Sequence, residues 1–169
     1  MNRDKIKFSK NDSQRVQRMK KLLEEINPLQ RMINSPGMDK SFEIFKREFP
    51  DATIHSYPAG SEIEDWAVPK SWEVLEGFMK DEKDNIIASI DENILFVAPY
   101  SEPVEGWFTK SEIQKHLRTR KDKAKSFLLE HRNTYDYQLV DWGITLPYER
   151  WSDLPDKKYF IKIKVKMKN

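Results

Sequence analysis

The chain has 169 residues, 30 Lys plus Arg against 28 Asp plus Glu and a formal net charge of +2, which suits one domain or one domain carrying an insertion. With no cysteine it can form no disulfide, zinc ribbon or thiol nucleophile, and its five glycines make neither a phosphate loop nor a dinucleotide fingerprint. Met1–Lys10 is charged, with no apolar signal run after it and no stretch of about 20 apolar residues anywhere, so the expectation is a cytoplasmic chain outside the membrane.

Val16, Met19, Leu22, Leu23, Ile26, Leu29 and Ile33 recur at helical steps and predict a helix over 12–33, capped by Asn11, Asp12 or Ser13. Pro28 removes a backbone donor inside that pattern, so the helix ends or kinks near Asn27 and restarts. Ser35-Pro36-Gly37 is read as its close. A second helix over 38–49 places Met38, Phe42, Phe45 and Phe49 on one side, and Pro50 stops it.

From Ala52 the period becomes two. Strands are predicted at 53–57, 72–79, 86–90 and 94–98, with polar turns at 81–85 and 91–93. Short helices follow over 109–117, capped by Thr109 or Ser111, and over 121–130. The last strand alternates Tyr159, Ile161, Ile163, Val165 and Met167 with Lys162, Lys164 and Lys166, so it is half-buried and needs a partner.

Charge is uneven along the chain: 1–50 carries a net of +5, 51–117 a net of −9 and 118–169 a net of +6. An acidic middle between basic flanks is how an inserted module would look, although surface composition also drifts within one domain.

Few residues offer chemistry. His55, His116 and His131 belong to no metal-ligand spacing and read as structural rather than ligating. No Gly-x-Ser-x-Gly is present, and Gly60-Ser61 reads as an ordinary turn after Pro58. Arg118, Arg120, Lys121, Lys123 and Lys125 could attract phosphate, with Trp107 or Phe108 stacking on a base, but Asp122 interrupts the cluster and a solvated face is the better reading. Glu62, Glu64 and Asp65 lie before Trp66 with no spacing that assigns an acid and a base.

Pro and Trp at fixed offsets are more specific. Tyr57-Pro58-Ala59-Gly60-Ser61 followed by Asp65-Trp66-Ala67-Val68-Pro69-Lys70-Ser71-Trp72 resembles a bacterial zinc aminopeptidase-like family whose peptidase domain is interrupted by an inserted domain of unknown function. Further stretches are similar in order: Asn93–Val97 with Tyr100–Val104, Glu112 to Leu117, and Trp142-Gly143-Ile144-Thr145-Leu146-Pro147, where Ile144-Thr145 replaces the family's Phe-Cys. The segment 118–136 is longer and more basic than the family pattern.

The resemblance implies an α+β fold. Residues 1–57 would be the N-terminal helical part of an α/β peptidase layer, 58–147 a mostly β inserted domain, and 148–169 the return strand of the layer. Pro58, Gly60, Asp65, Trp66, Pro69, Trp72, Trp142 and Gly143 would be the structural motif of the insertion, with Trp66, Trp72, Trp107 and Trp142 as its buried anchors. The family's zinc ligands, a His-Pro run, an Asp-Asn pair and later acidic and His residues, lie beyond the strand resembling Tyr159–Val165. No catalytic or metal-binding residue is therefore assigned here, and zinc is implied only for the complete enzyme, acting on a peptide or small amide. The expectation is an N-terminal part of such a hydrolase, inactive alone and partnered by the missing catalytic segment. The alternative is a non-enzymatic remnant that pairs its last strand with a partner sheet edge. Nucleic acid is not an expected partner.

Overall fold

The structure, a computed structural model, describes residues 10–129 and 141–168. Helix α1 (Lys10–Ile26) ends where Pro28 requires, but no helix restarts after it. Helix α2 (Pro36–Glu48) begins two residues earlier than the periodicity suggests, because Ser35 caps it and Pro36 sits in the first turn, where a missing N–H costs nothing. Ser35-Pro36-Gly37 thus opens a helix instead of closing one. Gly37 is required there: a Cβ would stand 2.1 Å from the Gln30 carbonyl oxygen. Two ion pairs tie the helices together, Arg18 to Glu48 at 2.7 Å and Arg47 to Glu25 at 2.8 Å.

After α2 the predicted strand over 53–57 does not form, since no neighbouring strand lies beside it among the described residues. A small hairpin follows, β1 (Glu62–Ile63) with β2 (Trp66–Ala67), and then the main sheet. That sheet contains β3 (Ser71–Lys80), β4 (Ile86–Ser89), β5 (Val104–Thr109) and β8 (Lys158–Lys168), in the order β4-β3-β8-β5 and antiparallel throughout. Between β5 and β8 come α3 (Lys110–His116), β6 (Leu117–Arg118), a 3-10 turn at Lys121–Lys123, β7 (Ile144–Thr145) and α4 (Tyr148–Asp153).

One irregularity in β3 sets the core. Trp72 and Val74 have even numbers and Gly77 and Met79 odd ones, yet all four are buried, because a bulge at Leu75 shifts the register against β8. The bulged Leu75 is itself exposed. Across from it, β8 turns Tyr159, Ile161 and Ile163 inward without interruption, and they meet Phe96, Ile113, Leu146 and Trp151 in one apolar cluster.

The last strand forms as its alternation predicts, and it stands inside the sheet. β8 pairs with β3 from Phe160 to Lys168 and with β5 from Lys158 to Ile163, so its first half is the interior of the sheet. Its two neighbours, β3 and β5, come from the segment expected to be an insertion. The strand expected to need a partner finds two within the chain, β3 and the unforeseen β5. β5 is only partly buried and carries Glu105, Gly106 and Trp107 in its middle, a weak apolar alternation.

Other differences are local. The expected strand over 94–98 is reduced to a single bridge, Val97 to Ile144, because the Asn93 side chain accepts from the Leu95 amide and folds the chain into a turn. Helix α3 forms as expected, with Thr109 and Glu112 in a reciprocal capping box. The helix expected over 121–130 shrinks to the 3-10 turn within the described residues. Helix α4 was not foreseen, and its Trp151 is buried with the indole N–H donating to Gln114 Oε1 at 2.8 Å.

Candidate functional site

The motif residues separate into two groups. Pro58, Gly60, Asp65, Trp66 and Pro69 build the β1–β2 hairpin and its neck. Gly60 adopts φ +80°, which a side chain would resist, and its N–H donates to the Val68 carbonyl at 2.8 Å while the Val68 N–H returns to Ser61 at 2.9 Å. Glu64 turns the tip with φ 55°. Glu62, Glu64 and Asp65 are all exposed around that turn, an acidic point beside Trp66, which remains 40% exposed. Trp66 and Trp107 are therefore not the buried anchors expected of them. Asn34, also left-handed at φ 55°, holds the neck by donating from Nδ2 to the Pro69 carbonyl at 2.9 Å.

Trp72 and Gly143 meet elsewhere, around Ser101, while Trp142 packs on His116 and Phe108. The Trp72 indole N–H donates to the Ser101 carbonyl at 3.1 Å. The Ser101 hydroxyl donates to Ala98 at 2.7 Å and accepts from the Gly143 N–H at 3.1 Å. Ser101 is wholly buried and all these partners are structural, so the group fixes loops and exposes no reactive atom. Sequence reasoning passed over Ser101, although it sits inside the Tyr100–Val104 stretch that carries the resemblance.

The hairpin forms one wall of an open cavity of about 330 Å³ whose other walls are α2 and residues 54–57. Met38, Phe42, Ile54, His55, Tyr57 and Trp66 line it, and Asn34 and Asp39 add polar atoms. A second cavity of about 320 Å³ continues along α2, past Phe45 and Phe49. The apolar side of α2 that the periodicity marked for burial is thus exposed, as are Val16, Met19 and Leu23 of α1.

His55 lies on both cavities, and His131 falls outside the described residues. His116 packs flat on Trp142, ring centroids 4.0 Å apart, with Nδ1 3.0 Å from an Asp141 carboxylate oxygen and 3.2 Å from the Trp142 carbonyl. This arrangement joins the end of α3 to the loop before β7. Among the described residues no group of three or more His, Asp or Glu could hold a metal ion.

The basic cluster is divided among local partners. Arg120 makes a two-point contact with Asp122 at 2.9 and 2.7 Å, which raises the guanidinium pKa and lowers that of the carboxyl. Lys121 lies over the Tyr148 ring at 5.5 Å. A cation already held by a carboxylate or a ring offers less to a phosphate backbone. Among the described residues no helix is long and apolar enough to cross a membrane.

Comparison with known proteins follows these features. Residues 71–166 match a family model described as "Domain of unknown function (DUF2172)". Over 160 residues the chain is 28% identical to a Clostridium acetobutylicum protein named "Putative polysaccharide biosynthesis protein with aminopeptidase-like domain", covering 93% of this chain and 35% of that protein. A crystal structure titled as a putative peptidase, also from Clostridium acetobutylicum, superposes with a TM-score of 0.80 at 26% identity, over 93% of this chain and 36% of that one. The chain spans about a third of the length of the relatives it matches.

Proposed function

Since the chain belongs to the DUF2172 family, a domain of unknown function, we propose that it is a non-catalytic N-terminal part of an aminopeptidase-like hydrolase, standing beside the substrate cleft. Supporting this reading is one observation: 93% of the chain superposes on 36% of a chain titled a putative peptidase, and among the described residues no group of His, Asp or Glu could hold a metal ion. Residues 1–57 contribute to the peptidase side of that protein, and the sheet module that follows carries the exposed hairpin. The chemical step belongs to residues outside the described chain, and zinc, where such a hydrolase uses it, is held there.

The hairpin tip suggests what the module adds. An aminopeptidase substrate, a peptide or a small amide, presents a free α-ammonium, and Glu62, Glu64 and Asp65 place negative charge on an exposed turn. Such a point concentrates cations nearby and raises encounter without taking part in bond cleavage. Charge reversal should then act on KM and not on kcat.

The test grafts this chain in place of the matched third of the Clostridium acetobutylicum protein and follows hydrolysis of an amino-acid anilide. Glu64→Lys with Asp65→Lys should raise KM several-fold at low salt, leave kcat within about twofold, and lose its effect as salt screens the tip. An unchanged KM at low salt would contradict a hairpin beside the cleft.

A further inference from the structure

The main sheet has two faces, and the core uses one of them. Tyr159, Ile161 and Ile163 of β8 pack inward with Met79 of β3, so the residues that alternate with them point the other way. On that outer face the register sets Trp107 of β5 opposite Phe160 of β8 and Phe160 opposite Lys80 of β3, with Glu105, Lys162 and Phe78 in the next row. Trp107, on the edge strand β5, stays 46% exposed, and Leu75 and Ile86 are exposed towards the β4 side.

The rings on this face form a row. Trp107 and Phe160 have centroids 5.5 Å apart with planes at 66°, and Phe160 and Phe78 have centroids 6.1 Å apart with planes at 30°. Past Phe78 the face opens into a hollow of about 190 Å³ bordered by Leu75, Glu76, Ile86, Ser89 and Asp91. The cations beside the rings already have partners. Lys162 lies 3.3 Å from Glu76 and 3.7 Å from Glu105, while Lys80 pairs with Asp84 at 2.6 Å and stands 5.2 Å from the centre of the Phe160 ring. Aromatic side chains with a few fixed polar groups among them are the lining that binding sites for small molecules use.

We propose that this outer face binds a neutral oligosaccharide, its sugar rings lying along Trp107, Phe160 and Phe78 and its end entering the hollow beside Glu76 and Asp91. The charges on the face select that chemistry. A polyanion gains little from Lys80 and Lys162, whose charges carboxylates already balance. An apolar protein or lipid surface would strip water from the Lys162 ion pairs, a desolvation cost that its own contacts must first offset. A sugar avoids both penalties: its C–H groups meet the electron-rich faces of the rings, and its hydroxyls accept from Lys162 or donate to Glu76 and Glu105 without displacing either charge. The site shares no residue with the hairpin or with the cavities along α2, so it stands independently of the functional reading above.

Calorimetric titration of the 169-residue chain tests it, with cellotetraose, xylotetraose, mannotetraose and chitotetraose as the probes. At least one should bind with a Kd of about 1 mM or tighter, and raising the salt to about 0.5 M should change that Kd by less than about twofold. Trp107→Ala, at a half-exposed position, should weaken binding about 5-fold or more without lowering the melting temperature by more than about 3 °C, and Trp107→Phe, which keeps a ring there, should restore part of the affinity. In the unsubstituted chain the backbone amide signals that shift on titration should belong to β3, β5 and β8. Failure of all four sugars to bind overturns the proposal, as does binding indifferent to Trp107→Ala, or amide shifts confined to 34–66. Tighter binding of an oligothymidine than of any sugar, falling steeply with salt, would assign the face to nucleic acid and overturn it. Self-association of the chain that Trp107→Ala abolishes would assign the face to a second copy and also overturn it.

Discussion

Gly77 shows how closely the core is fitted. A Cβ there would stand 2.6 Å from Val97 Cγ2 and 2.9 Å from Ile90 Cγ2, closer than carbon atoms approach. Gly77→Ala should therefore cost about 1–3 kcal/mol by urea unfolding, with part recovered when Val97→Ala makes room; a neutral substitution would show that the sheet stands further from that loop. Asp81 is set by polar contacts instead. The Asn85 side-chain amide foremost, helped by the backbone N–H groups of Asn85 and Lys83 and by Lys157, lowers its pKa from 3.8 to about 2. A depressed carboxyl stabilises the fold above its ordinary pKa, and this stabilisation is lost as pH falls from near 4 through about 2. The urea midpoint of the wild type should fall more steeply over that window than that of Asp81→Asn, and parallel curves would remove Asp81 from the acid response. Nothing in the sequence around Gly77 reports the packing, because the atoms that crowd it lie 13 and 20 residues away.

At the scale of elements, alternation and caps were legible and partners were not. Val74, Gly77 and Met79 all face inward because Leu75 bulges out, and the strand was visible as an apolar run whether or not the bulge was foreseen. Deleting Leu75 should remove the bulge, leave Trp72, Val74, Gly77 and Met79 on one face in unbroken alternation and keep unfolding cooperative, while Leu75→Ala, at an exposed position, should cost at most about 0.5 kcal/mol. Loss of cooperativity in the deletion would show that the sheet depends on the bulge itself. The same limit explains 53–57 and β8, two stretches of equal strand character. One has β3 and β5 beside it and lies inside a sheet, the other has no neighbour among the described residues, and alternation within a segment carries no record of what lies next to it.

Taken whole, the molecule is a four-stranded sheet and its loops, with two N-terminal helices joined to it through Gln30, Asn34 and the Ile33 carbonyl, which accepts from the Tyr100 hydroxyl at 3.0 Å. The family was legible because Pro58, Gly60, Pro69 and Trp72 occupy positions that backbone geometry and burial require, so their spacing reflects structure. The hairpin's acidic tip and the cavities beside it were not legible as a site, since they form only when α2, 54–57 and 62–67 come together. On the proposed function, this chain serves an aminopeptidase-like protein without performing its chemistry. The most direct measurement is hydrolysis of leucine and alanine p-nitroanilides by the purified 169-residue chain, with added zinc and with a chelator. No rate above the buffer blank is expected in either condition, whereas hydrolysis that scales with protein and disappears with the chelator would place a catalytic site within this chain and contradict the account.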